Sequence, residues 1–266
     1  MARRLCLITG ASAGIGEAFA RLYARHGHDL VLTARRADRL EKLAWEIREQ
    51  HDVEVFVITV DLAKSGAVDE IIAAIEARGR EVDVLVNNAG YGLPGQFAGT
   101  TWSDQQAFLQ VLLTAVCEMT HKLLPGMLSR GYGRIINVAS LAGLIPGLPG
   151  STLYNPTKAF LVRFSQGLHV ETEGTGVHVT ALCPGFTHSE FHDVNGTRDS
   201  MGHIPTWMWL DADTVVELGY RAVEANRVVR VTGGPNKLIA AICKVVPDEW
   251  VLGWVGKRAT SYRKKA

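Results

Sequence analysis

Tyr154 and Lys158 stand four residues apart in the stretch Ser151-Thr-Leu-Tyr-Asn-Pro-Thr-Lys-Ala-Phe160. If a helix begins near Leu153, the phenol and the ammonium share one face, with Cβ atoms about 5–6 Å apart. A free tyrosine releases its proton near pH ~10. A neighbouring cation favours the phenolate, so the spacing predicts a Tyr154 pKa lowered toward the range in which an acid–base catalyst works. Pro156 lies between the two and has no N–H to donate, so it fits only the first turn of a helix. The pair is therefore expected at an irregular helix start. The same spacing recurs on solvated helices, and other parts of the chain must supply the remaining chemistry.

A second cluster lies at the other end of the sequence, in Thr9-Gly10-Ala11-Ser12-Ala13-Gly14-Ile15-Gly16. It follows the apolar run Leu5–Thr9 and precedes a helical pattern from Ile15 to His26. Glycines at such a strand-to-helix turn let the backbone approach a pyrophosphate, and the free N–H groups of the helix start face it. A tight turn with no ligand has the same composition. Its position after the very first strand favours a nucleotide site.

The elements that must hold these clusters are legible as alternating strands and helices. Strand patterns at Leu30–Thr33, Val53–Val60 and Val82–Val86 alternate with helices from Ala37 to about Gln50 and from Ala67 to Arg78. A long helix from about Ser103 to Leu128 precedes a strand at Gly133–Ala139. The Tyr154 helix runs to about Glu173, and strand Val177–Cys183 follows it. A helix from Asp211 to about Ala225 and a short strand Val228–Thr232 come last. This order implies βαβ units and a parallel sheet covered on both faces, an α/β fold. At 266 residues, with no linker and no repeat, one domain is expected. A net charge of +1 leaves no surplus for nucleic acid. Four scattered cysteines, Cys6 and Cys183 within strand patterns, and an N-terminus that enters a strand at once point to a cytoplasmic protein.

Taken together, Thr-Gly-x-x-x-Gly-x-Gly, Asn87-Asn88-Ala89-Gly90, Ser140, Tyr154-x-x-x-Lys158 and Pro184-Gly185, each after a strand and in this order, resemble the short-chain dehydrogenase/reductase family. The likeness runs over roughly residues 4–235. It implies a doubly wound, Rossmann-like parallel sheet of seven strands in the order 3-2-1-4-5-6-7, with the site at the strands' carboxyl ends. By the same resemblance, Gly10, Ser12, Ala13, Gly14, Ile15 and Gly16 would hold the cofactor. Asp61 and Leu62 would meet the adenine, and Asn88, Ala89 and Gly90 would line the cofactor side of the sheet. Pro184 and Gly185 would turn around the nicotinamide, with Thr187 and Ser189 as alternative donors to the carboxamide or phosphates. Ser140 would hydrogen-bond a substrate carbonyl and Tyr154 would protonate it, while Lys158 would bind the ribose and bias the phenol toward its anion. The second strand ends Thr33-Ala34-Arg35-Arg36 with no acid before Asp38. Guanidinium suits a 2′-phosphate, so Arg35 and Arg36 point to NADP(H).

The sequence also departs from the family. Ser140 to Tyr154 is one residue longer than the commonest spacing, a difference that the glycine/proline loop Gly143–Gly150 can absorb. An asparagine that commonly holds a relay water thirteen residues before Pro125 is replaced by Leu112, with Gln110 and Thr114 as polar neighbours. The leading expectation is an NADPH-dependent carbonyl reductase, reversibly an alcohol dehydrogenase, acting on an apolar ketone or 3-oxoacyl compound. The alternative motivated by Leu112 is an NADP(H)-binding regulator or scaffold with weakened catalysis. A sugar-nucleotide epimerase would need a different glycine spacing and a longer C-terminal domain. Residues 190–210, with Trp207, Met208 and Trp209, fit a substrate lid or a packing segment. His188 and His192, with Glu190 and Asp193 nearby, make only part of a metal set, and no metal is expected. Residues 236–266 form an apolar extension with a basic end. Lys244, Pro247, Asp248 and Glu249 interrupt it, so it has no uncharged run of about 18 residues to serve as a transmembrane segment. It would pack as helices on its own subunit or a partner, or else lie on a membrane surface. The family resemblance implies a homo-oligomer, dimer or tetramer.

Overall fold

Leu5 and Leu7 alternate with Cys6 and Ile8 along the first strand, and all four are fully buried. Successive side chains of a strand point to opposite faces, so apolar residues at every position require cover on both. The computed structural model describes residues 3–93, 95–147, 150, 152–188, 190 and 205–253. Its principal sheet contains β1 (Leu5–Thr9), β2 (Asp29–Ala34), β3 (Val55–Thr59), β4 (Val84–Asn87), β5 (Gly133–Val138), β6 (Val177–Cys183) and β9 (Val229–Val231). They pair in parallel in the order β3-β2-β1-β4-β5-β6-β9. The expected order holds. Its seventh strand is ninth in the chain because a short parallel pair intervenes, β7 (Thr187–His188) with β8 (Leu210–Asp211).

On one face, Phe19, Leu22 and Tyr23 of α1 (Gly14–Arg25) join Leu40 and Ile47 of α2 (Ala37–Gln50) and Val215 and Val216 of α7 (Ala212–Glu224) over Cys6, Ile8 and Val86. On the other, Ile71 of α3 (Ala67–Glu76), Phe108 of α4 (Trp102–Leu109) and Met119 of α5 (Ala115–Ser129) pack on Leu7, Leu85 and Ile135. The expected long helix is divided: α4 and α5 are joined by a π-helical turn, Gln110–Thr114. By length and composition Trp102–Ser129 could cross a membrane. Phe108, Leu112, Ala115 and Met119 are each buried in the protein core, which makes it a core helix.

Leu210 N donates to the Phe186 carbonyl at 3.0 Å, and Trp209 packs on Phe186 and His188. The end of the expected lid segment, 190–210, is therefore fastened to the chain just before its start. Residues 191–204 lie outside the described residues. The C-terminal extension begins as α8 (Gly234–Val245), which buries Asn236 and Ala240. Leu238, Ile242 and Val245, on the same side at helical spacing, are 63%, 47% and 80% exposed, so nothing among the described residues covers that stripe. All four cysteines are free, and Cys6 and Cys183 are buried as expected.

A buried polar ladder crosses the sheet beneath the strand ends. Asn87 Nδ2 donates to Asn137 Oδ1 at 2.8 Å and to Thr120 Oγ1 at 3.2 Å, and Asn137 Nδ2 donates to Ser165 Oγ at 2.9 Å. Ser165 lies on α6 (Tyr154–Glu171), so the ladder ties β4 and β5 to that helix. Buried amides are costly when unpaired. Asn137→Ala is therefore expected to destabilise the protein by about 2–4 kcal/mol, from the cavity and the orphaned groups together. Urea denaturation measures this; a midpoint equal to wild type at unchanged slope would show that the ladder is dispensable.

Candidate active site

Lys158 is a lysine at 5% exposure, and its surroundings show how that is tolerated. Its Nζ donates to the Val138 carbonyl at the end of β5, at 2.7 Å. The 3₁₀ turn Leu141–Leu144 lies directly on α6: a Cβ at Gly143 would stand 2.5 Å from the Lys158 carbonyl carbon. Only glycine permits this approach. Asn155 fastens the same loop, its Nδ2 donating to the Ala142 carbonyl at 3.0 Å. Pro156 occupies the first turn of α6, as the sequence requires, and the helix is regular from Tyr154 onward.

The structure brings Ser140, Tyr154 and Lys158 together. Lys158 Nζ lies 5.6 Å from the centre of the Tyr154 ring. Ser140 hydrogen-bonds the phenol, and its Oγ also accepts from Ala142 N at 3.1 Å. Burial pushes the phenol up to about 12, against a smaller downward pull from Ser140. Burial likewise lowers the ammonium to about 8. The expected lowering of the Tyr154 pKa by its neighbour is thus reversed here. The ammonium is spent on a backbone carbonyl rather than on the phenol, and loss of solvent dominates both groups.

A cradle lies beside this trio at the end of β1. Gly10 has φ +68° and faces Ala89, whose Cα would be 2.8 Å from an added Cβ. A Cβ at Gly16 would stand 2.2 Å from the Gly10 carbonyl oxygen. Asn88 braces the turn, with Nδ2 donating to the carbonyls of Thr9 at 2.9 Å and Gly10 at 3.2 Å. Thr9 Oγ1 accepts from the backbone N–H groups of Asn88 and Ala89. Ala13 precedes α1 and gives it no side-chain cap, so the first turn, Gly14-Ile15-Gly16, presents its N–H groups outward. These residues fit a bound pyrophosphate. Arg36 Nη2 and Nε donate to Ser12 Oγ at 3.0 and 3.2 Å, at the rim of the same turn. Arg35 is exposed, and its charge acts on Tyr91, as does that of Asp61. Asp61 caps its own turn by accepting from Ala63 N at 3.0 Å, with Leu62 buried beside it.

At the end of β6 the Pro184 carbonyl accepts from Leu141 N at 2.8 Å, joining this turn to the residue after Ser140. Gly185 presses on Asn236, whose Nδ2 would lie 2.1 Å from an added Cβ. Thr187 is buried and donates to the Gly185 carbonyl at 3.2 Å. Ser189 lies outside the described residues. Gly90 separates Leu112 from Lys158, an added Cβ standing 3.7 Å from Leu112 Cγ and 3.8 Å from Nζ. Leu112 is buried and Thr114 is exposed, so neither supplies a polar group beside the ammonium. Leu93, Phe97, Phe108 and Leu153, together with Gln105 and Thr152, line a cleft that opens on Tyr154. His188 stacks on Trp209, and no group of three metal-ligating side chains occurs among the described residues.

Asn137, Asn155 and Asn236 support the site and were not singled out by sequence reasoning. The available signal was a polar side chain inside or beside an apolar strand or helix start, which must find a buried partner.

Residues 4–199 match the family model described as short chain dehydrogenase. The chain is 42% identical to the sulfoacetaldehyde reductase of Chromohalobacter salexigens over 69% of its length and 72% of that protein's. It is 38% identical to the NADP-dependent 3-hydroxy acid dehydrogenase YdfG of Salmonella typhi, over 73% of this chain and 77% of the relative. Among solved structures, a short-chain dehydrogenase from Sphingobium yanoikuyae in complex with NADPH superimposes with a TM-score of 0.78 at 29% identity, covering 92% of this chain and 96% of the other. With that match spanning β1 to the β7 turn and the strand order in agreement, the chain belongs to the short chain dehydrogenase family.

Proposed function

We propose that this protein is an NADP(H)-dependent carbonyl reductase, reversibly an alcohol dehydrogenase, acting on an apolar ketone or 3-oxoacyl compound. The observation that carries it is the cluster of half-buried Ser140 and Tyr154 with buried Lys158 at the end of β5, next to the glycine cradle at the end of β1. NADP(H), when bound, supplies or accepts the hydride. Gly10, Ser12, Gly14, Ile15 and Gly16 hold its pyrophosphate, Arg36 with Arg35 its 2′-phosphate, and Asp61 and Leu62 its adenine. The same reading puts Ala13, Asn88, Ala89, Gly90, Pro184, Gly185, Thr187 and Ser189 around the rest of it.

Carbonyl reduction leaves negative charge on the substrate oxygen, and aimed donors must meet it there. Ser140 donates one hydrogen bond. Tyr154, with its pKa raised to about 12, remains a neutral phenol at physiological pH and so holds the proton that the oxygen takes. Lys158 uses one proton on Val138 and keeps two for a ribose hydroxyl and for the charge left on Tyr154. Leu93, Phe97, Phe108 and Leu153 on the cleft walls support a hydrophobic group beside the carbonyl, with Gln105 and Thr152 as polar neighbours. The same reading takes 190–210 as a substrate lid and 236–266 as a C-terminal extension of one domain; 191–204 and 254–266 lie outside the described residues. The exposed stripe Leu238, Ile242 and Val245 supports a homo-oligomer.

Tyr154→Phe is expected to lower kcat with NADPH and a panel of ketones by about 10²–10⁴-fold, leaving NADPH affinity within a few-fold. Binding without any ketone turnover by wild type would favour the regulatory alternative. Arg36→Ala is expected to weaken NADPH by roughly 10–100-fold and NADH by less than about twofold; equal losses in titration calorimetry would sink the 2′-phosphate assignment.

The titration of Lys158 gives a third test. Its folded pKa, about 8, lies below the ordinary 10.5, so between these values the unfolded chain holds a proton that the folded one has lost. Stability contributed by this group therefore rises with pH across that window and is least below pH 8. The stability of wild type minus that of Lys158→Met is expected to climb by about 2–3 kcal/mol from pH 8 to 10.5. Urea melts of both proteins at each pH measure the difference, and a flat curve would show that Lys158 titrates normally.

A further inference from the structure

Glu190, two residues beyond β7, places its carboxylate between two guanidinium groups of the second βα unit. Arg39 Nη1 approaches Oε1 at 2.7 Å and Oε2 at 2.6 Å, and Arg36 Nη1 approaches Oε2 at 3.2 Å. The same Arg36 holds Ser12 Oγ through its other two nitrogens. A hydroxyl, two guanidinium groups and a chelated anion thus meet at the rim of the glycine cradle. This is the donor set a 2′-phosphate monoester calls for, and a side chain of the protein already fills it.

We propose that Glu190 is a built-in competitor for the cofactor's 2′-phosphate, and that Arg39, with Arg36, is a specificity-determining ligand of that phosphate. The inference rests on the NADP(H) reading above. All three side chains are partly exposed, at 38% for Arg36, 43% for Arg39 and 44% for Glu190. Ion pairs of this kind are individually weak and open readily. A phosphate carries about −1.5 to −2 charges and three acceptor oxygens, against one charge on a carboxylate. It therefore displaces Glu190 and takes both arginines. A ribose hydroxyl has no such claim, and NAD(H) leaves the carboxylate where it is. Arg39, foremost, keeps the Glu190 carboxyl below the usual carboxylate range, so the competitor is charged throughout the physiological window. The consequence is an apparent affinity for NADP(H) lower than the bare arginines would give, by the fraction of sites that Glu190 occupies.

Titration calorimetry on the full-length protein at low salt tests this. Glu190→Gln is expected to tighten NADP+ by about 3- to 10-fold and to leave NAD+ within about twofold. Arg39→Gln is expected to weaken NADP+ several-fold, again sparing NAD+. Adenosine 2′-phosphate should repeat the gain in Glu190→Gln, whereas adenosine 5′-phosphate should not; this separates direct competition from a general rearrangement near β7. Glu190→Asp keeps the charge and should stay close to wild type. Unchanged or weaker NADP+ and adenosine 2′-phosphate binding in Glu190→Gln, at wild-type melting temperature, overturns the proposal while leaving the cofactor assignment standing. A wild-type protein that shows no preference for NADP+ over NAD+ overturns the assignment itself.

Discussion

The ammonium of Lys158 sits inside the protein, and much of the site's architecture follows from making that possible. An ion removed from water must be solvated by protein dipoles or lose its charge. The Val138 carbonyl supplies one dipole and in doing so ties α6 to the end of β5. Gly143 then lets the turn after Ser140 lie against the backbone of the same lysine. Asn155 anchors that turn from the residue following Tyr154. The serine, the phenol and the ammonium are therefore placed by one short block of chain folded on itself, with little freedom for one to move without the others.

A parallel sheet brings that block to the glycine cradle. Every strand of the principal sheet ends at the same side, so the turns after β1, β4, β5 and β6 share one crevice. Polar cross-braces keep these turns in register. Asn88 spans from the β4 turn to the β1 turn, and Leu141 N reaches across to Pro184 after β6. Below them, the Asn87–Asn137–Ser165 ladder adds the connection from β4 through β5 to α6. Such ladders are effective only when every member is paired, and this one is terminated by acceptors in the helix backbone at Val116 and Leu161.

The fold was readable because its signals are local and repeated. Leu5–Thr9 and Val177–Cys183 have the composition of strands buried on both faces, and their bounds agree with the structure. The Tyr154 and Lys158 spacing likewise predicts their shared face, because helical periodicity alone determines it. What sequence could not give is whatever depends on distance through space. The spacing predicts a nearby cation for Tyr154, yet it is silent on Val138, whose carbonyl claims that cation, and on how deeply the pair is buried. The Tyr154 shift runs opposite to that expectation for this reason. The π-helical turn at Gln110–Thr114 was also invisible, since its residues are ordinary helix formers in an apolar run.

Leu112 shows how the two kinds of information combine. Sequence comparison by motif marks it as a departure, a leucine where a water-holding amide is common. In the structure it is 1% exposed and lies in the π-helical turn, across Gly90 from Lys158. An apolar wall there adds to the desolvation of the ammonium, the same effect that draws its pKa toward neutrality. A lysine poised near neutrality can lose and regain a proton without an elaborate chain of polar partners. The leucine therefore offers no polar partner to the lysine, and the burial around it favours the neutral amine. Leucine at this position is compatible with the buried lysine on physical grounds.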